Sequence, residues 1–317
     1  MFSFVALLRR EWFEHRMAFL LSPAVLLLLI MLAGMVFLPS ADRVEISSNE
    51  DVALMERLQP DDEGNMSIGS IITAMFLDVA GSTDGEISQR LRFLLNTIAV
   101  PFYWVLLFVS VFALVACVYD ERRDRSVLFW KSMPVSDTRT ILSKYVYVAW
   151  VMPLLTAAFI FVAQLYAIVL FGAYVEDGMG GRVWANSGLL ITLVQLVLGF
   201  VLNGVVLLPV FGWILLVSAA ARSAPLLWVL GVPLTLSILE GIFFDSGVFA
   251  RLVGWHVAMP TLPRAHYDGE AQGMGIELPT LAGQLEVLGT TNFWLGAIVG
   301  VGLLAATVWV RARHNEI

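Results

Sequence analysis

Six stretches of this 317-residue chain lack charged side chains for long enough to cross a lipid bilayer. They are 17–38 and 98–119 (22 residues each), 145–175 (31), 183–221 (39), 223–239 (17) and 287–310 (24). A hydrocarbon core about 30 Å thick takes roughly 20 helical residues, so each run is read as one span. Hydrocarbon offers the backbone no hydrogen-bond partner, and a helix bonds to itself. The expected fold is an all-α membrane protein with six transmembrane helices, at 17–38, 98–119, 145–172, 188–220, 224–244 and 290–310. The 39-residue run is too short for two spans and a loop. It is read as one long helix with bends at Asn203-Gly204 and Pro209.

Composition agrees. The chain is 59% hydrophobic and 14% charged, whereas soluble domains carry about 25% charged residues. This excludes a soluble nucleic-acid binder, a disulfide scaffold and a disordered protein. The single cysteine, Cys117, has no intramolecular partner for a disulfide. Arg9, Arg10 and Arg16 precede the first run, as in a signal peptide. That run exceeds the usual 7–15 apolar residues of such a segment, and no A-x-A site follows, so it is read as an anchor.

Orientation follows from basic residues beside the spans. With the amino terminus inside, the inner segments hold 12 arginines and lysines and the outer segments seven, four of them in one long loop. Both termini are therefore expected on the cytoplasmic side. The net charge of −7 has one source, since 39–97 holds 11 acidic residues and four arginines. It marks an acidic extracytoplasmic domain, whose charge serves solubility or offers a surface to a cationic partner.

Residues 1–16 read as a cytoplasmic interfacial helix, with Phe2, Val5, Leu8 and Trp12 opposite Arg9, Arg10 and Glu14. In the 39–97 insertion, Ile68, Ile71, Ile72, Met75, Phe76 and Val79 have helical spacing, and 86–96 should run helically into the second span. The cytoplasmic loop 120–144 buries nothing obvious, yet carries Val127, Leu128, Phe129 and Trp130 before Pro134. Such a cluster needs a partner or the membrane surface. Ser136 or Asp137 can cap the helix that follows. The outer loop 245–289 holds a moderately apolar stretch, 248–263, read as interfacial or re-entrant, and 311–317 forms a cytoplasmic tail.

No Gly-Lys dipeptide occurs, so a Walker A loop is absent from this sequence. His15, His256, His266 and His314 lack zinc-site spacing, and no metal or catalytic site is expected. Glu240 is the one carboxylate near membrane depth, read as snorkelling at the interface or capping the helix end rather than coupling to an ion. Gln164, Gln195 and Asn203 lie inside spans, where such groups usually join helices. They are also candidates to line a pathway or a dimer seam.

The run Glu121-Arg122-Arg123-Asp124-Arg125-Ser126, then Lys131-Ser132-Met133-Pro134-Val135-Ser136 and Lys144, resembles the cytoplasmic loop of type-2 ATP-binding-cassette (ABC) transporter permeases. Leu8-Arg9-Arg10-Glu11 before a proline-containing first span resembles that family's interfacial elbow. Arg125-Ser126 stands where Gly-Thr is usual, Met133 replaces a leucine, and Ser143-Lys144 replaces Gly-Lys. The resemblance implies a transport subunit, not an enzyme, most often an exporter. It would sit in a bacterial plasma (inner) membrane in contact with lipid, pair with a second permease copy, and bind ABC ATPase (nucleotide-binding) subunits that hold ATP and magnesium. Its own chain would hold no cofactor and bind no nucleic acid. Arg125, Val127, Leu128, Phe129, Trp130 and Lys131 would dock on the ATPase, and Glu11 or Glu14 would pair with Arg122 or Arg123. The rival expectation is a non-transporting membrane sensor or assembly factor whose outer domain binds a ligand.

Overall fold

The computed structural model describes residues 4–40, 83–126, 129, 132, 135–174, 179–268, 273–277 and 280–313. The helices are α1 (Phe4–Ser40), α2 (Asp84–Arg123), α3 (Asp137–Val146), α4 (Met152–Tyr174), α5 (Gly180–Asn186), α6 (Leu189–Val206) and α7 (Leu208–Ala220). They continue with α8 (Pro225–Phe244), α9 (Val248–Val257), α10 (Leu281–Glu286) and α11 (Thr291–Arg313). A π-helical turn, Tyr147–Val151, joins α3 to α4. Among the described residues, six helices are long and apolar enough to cross a membrane. The chain is a multi-pass, predominantly helical membrane protein.

Three features differ from the sequence reading. The interfacial segment and first span form one continuous helix, α1, which runs on through Pro23 without ending. The fourth span ends at Val206 and α7 begins at Leu208. Pro209 lies in the first turn of α7, where its missing N–H leaves no partner wanting. The break thus falls between the two expected bend points. The 245–289 segment holds α9 and α10 and a two-stranded antiparallel hairpin, β1 (Arg264–Asp268) with β2 (Gly273–Glu277), in which His266 opposes Gly275. Apart from this hairpin the regular elements of the described residues are helical, as expected of an all-α membrane protein. As expected for 86–96, α2 runs helically into the second span, starting at Asp84. Its Thr83–Glu86 capping box has the Thr83 N–H donating to Glu86 Oε2 at 2.8 Å. The expected helix over 67–79 lies outside the described residues.

The chain divides into two compact units. The first comprises Met1–Pro23, Phe102–Ala157 and Val194–Ile317. Glycines set its packing. A Cβ on Gly300 of α11 would stand 2.4 Å from Leu208 Cγ and 2.7 Å from the Leu208 carbonyl carbon, so α7 and α11 meet backbone to backbone. In hydrocarbon, where burying leucine against leucine gains little over lipid, such close approach is what holds helices together. Gly199 makes room in the same way for the Thr261 carbonyl, and Thr261 Oγ1 donates to the Gly199 carbonyl at 3.0 Å.

The second unit comprises Ala24–Pro101 and Ala158–Leu193. Its core is Ile87, Leu91 and Leu95, one helical turn apart on α2, against Ile168, Phe171 and Val183. Tyr166 donates to the Met31 carbonyl at 2.9 Å. At the surface Arg182 bridges Asp84 at 2.7 Å.

Candidate functional site

Four helices bring charged residues to one place in the first unit. Glu11 comes from α1, Glu121 from the last turn of α2, Lys144 and Asp137 from α3, and Arg311 from the last turn of α11. Lys144 Nζ donates to Glu11 Oε2 at 3.2 Å and lies 3.0 Å from Glu121 Oε1. Arg10 Nη2 reaches the same Glu121 oxygen at 2.5 Å and Glu11 Oε1 at 3.0 Å. Arg311 bridges Glu121 Oε2 and Asp137 Oδ1, both at 3.0 Å. The side chains of Glu11 and Lys144 are each 1% exposed.

Arg10, Lys144 and Arg311 face Glu11, Glu121 and Asp137, three cations against three carboxylates, with the half-exposed Glu14 at the rim beside Arg10. Each ion alone would be costly to strip of water, and the alternation of sign compensates that cost only while every member is in place. Such an arrangement specifies which helix ends belong together more than it adds stability. It links both helices that flank the 124–136 loop to α1 and to α11. Glu11, Glu14 and His15 bring potential ligand atoms within 4.8 Å of one another. Lys144 and Arg10 already neutralise Glu11, so that group does not suit a metal ion.

The expected pairs between α1 and the loop are replaced. Glu11 takes Lys144 and Arg10. Glu14 lies 3.9 Å from Arg10 Nε. Arg122 instead turns to α7, donating to the carbonyls of Ser218 (3.3 Å) and Ala221. These end-of-helix carbonyls have no intrahelical partner and attract a cation. Arg123 is exposed. Glu121, Lys144 and Arg311 were absent from the sequence-derived site. Their signal is positional: each sits within two residues of an uncharged run.

Of the expected docking residues, Phe129 is 59% exposed, and Ser132 Oγ donates to its carbonyl at 2.7 Å. Arg125 is exposed with φ 56°, the left-handed region in which an L side chain crowds its own backbone. Val127, Leu128, Trp130 and Lys131 lie outside the described residues.

The three intramembrane amides have separate roles. Gln164, in the second unit, donates to the Leu95 carbonyl at 2.9 Å. Gln195 accepts from Gln284 Nε2 at 2.8 Å through its main-chain carbonyl, not its side chain. Asn203 lines a cavity of about 20 Å³ with Tyr103, Ser110, Phe200 and Met259, and its Oδ1 has no protein partner. That volume suits a water molecule, not an organic solute. Glu240 caps α9: its carboxylate accepts from the N–H groups of Val248 and Phe249, each at 2.9 Å, and from Ser246 Oγ at 2.8 Å.

No family model, no curated protein and no solved structure matches this chain.

Proposed function

We propose that the chain is the membrane-spanning permease subunit of an ABC transporter, an exporter driven by ATP that a separate subunit hydrolyses. The observation that carries this reading is the buried ionic cluster. A loop between two spans can drive a pathway only if its displacement reaches several helices together. Glu121 and Lys144 flank that loop and are tied to α1 through Arg10 and Glu11, and to α11 through Arg311. Two further features support it. Phe129 offers an exposed aromatic anchor within a charged loop, the composition of an interface hot spot. Arg125, where the family usually carries glycine, adopts a conformation glycine takes without strain.

In this reading the ATPase docks on Val127–Lys131 of the cytoplasmic loop, both termini are cytoplasmic, and the membrane is the bacterial inner membrane. A second permease copy completes the pathway, and nucleotide-driven closure of the ATPases moves the loops. Affinity purification of the full chain tests it. An ATPase should co-purify with the wild type and be lost with Phe129→Asp, while circular dichroism shows unchanged helicity. Transport driven by an ion gradient alone, with no ATPase captured, would overturn the reading.

A further inference from the structure

The exposed side of α1 is apolar along its length, with Val5, Phe13, Met17, Leu21, Val25 and Leu28 all at least 47% exposed. Two arginines interrupt it. Arg9 and Arg16 hold their guanidinium carbons 5.5 and 5.3 Å from the centre of the Phe13 ring. Helical side chains lean towards the amino terminus, so Arg16 reaches back to that ring from the edge of the uncharged run. Among the described residues no carboxylate pairs with either arginine. The nearby Glu11 and Glu14 are turned to Lys144 and Arg10. Two cations thus converge on one exposed ring without an anion.

We propose that this face of α1 binds the phosphodiester headgroup of an anionic phospholipid. Arg9 and Arg16 are seven residues apart, about 10 Å along the helix axis. The polar layer of one leaflet is roughly 5–8 Å thick, so the two arginines bracket it with Phe13 between them. A phosphate in that layer meets a guanidinium at either edge, whose N–H fork suits its oxygens. The acyl chains of the same molecule meet Met17 and Leu21. A soluble anion would satisfy only the first contact, and an apolar partner only the second. The same chemistry recurs at the end of α11, where Arg313 lies 4.0 Å over the exposed ring of Trp309.

The test is a titration of the full chain in neutral detergent with short-chain phosphatidylglycerol and phosphatidylcholine, bound lipid being read by native mass spectrometry. The wild type should prefer the anionic lipid. Arg9→Gln with Arg16→Gln should weaken that binding about thirtyfold, the order expected on removing two basic groups near an anionic surface. Arg9→Lys with Arg16→Lys, which keeps the charge, should retain most of it. Wild-type affinity in the glutamine variant would overturn the proposal, as would equal wild-type affinity for both lipids. Displacement of the lipid by millimolar inorganic phosphate would overturn the choice of a lipid as the occupant.

Discussion

Two joints within the first unit hold helices together by opposite means. At the ionic joint, Glu11, Glu121, Lys144 and Arg311 come from four helices and satisfy one another's charge. At the glycine joint, Gly300 and Gly212 let α7 and α11 touch, and Gly296 lies against His256 Nε2. The first is directional and fails if one member is lost, because the partners remain buried and charged. The second has no partner to lose, but tolerates no added volume. Charge decides which helix ends meet, and absent side chains decide how closely.

The comparison breaks most visibly at Lys144. Lys144→Met should destabilise the protein by about 3–5 kcal/mol, since two carboxylates lose their shared cation in a dry site. Thermal unfolding in detergent would measure it. A loss below that of Gly300→Ala would invert the ranking of the joints. Gly300→Ala should cost about 1–3 kcal/mol. The new methyl meets the backbone of Leu208 and Pro209, which cannot rotate away as a side chain can.

The glycine joint also contains a titratable group. Burial pushes the His256 imidazole below its ordinary pKa, opposed by a hydrogen bond between Nδ1 and the Leu252 carbonyl at 2.9 Å. The unfolded chain therefore takes up the proton first as pH falls. Stability is complete above the ordinary value of about 6.5 and is lost as pH drops towards the depressed folded value. Comparing the melting temperature from pH 7.5 to pH 5.5 in wild type and His256→Asn isolates this contribution, and the slope should be shallower in the variant. The smallest effect concerns Arg125, outside both joints. Arg125→Gly should be neutral or stabilise by up to about 1 kcal/mol, relief of the left-handed backbone offsetting the added freedom of the unfolded chain. A marked loss would show that the arginine side chain makes an essential contact.

The spans were legible because absence of charge over 20 residues has few other uses. The partners were not. Arg10 and Glu121 are 111 residues apart in sequence, and only packing decides that Arg10, not Arg9, faces inward. Lys144 was visible as part of a loop motif, yet its burial depends on α1 and α2 arriving together. The hairpin was missed because Arg-Ala-His-Tyr-Asp and Gly-Met-Gly-Ile-Glu have little β-propensity beyond Tyr267 and Ile276. Glu240 was read as snorkelling to the interface or capping the end of its own helix; it caps the start of the next one, α9, which depends on how the turn folds back.

In the proposed function the loop between α2 and α3 receives work from an ATPase, and the ionic joint passes it to the spans. The direct measurement is ATP turnover by the captured ATPase in proteoliposomes containing wild type, Phe129→Asp or Lys144→Met. The wild type should stimulate turnover, Phe129→Asp should capture no ATPase, and Lys144→Met, with its helicity retained, should capture the ATPase without stimulating it. Equal turnover with all three would contradict the proposed function.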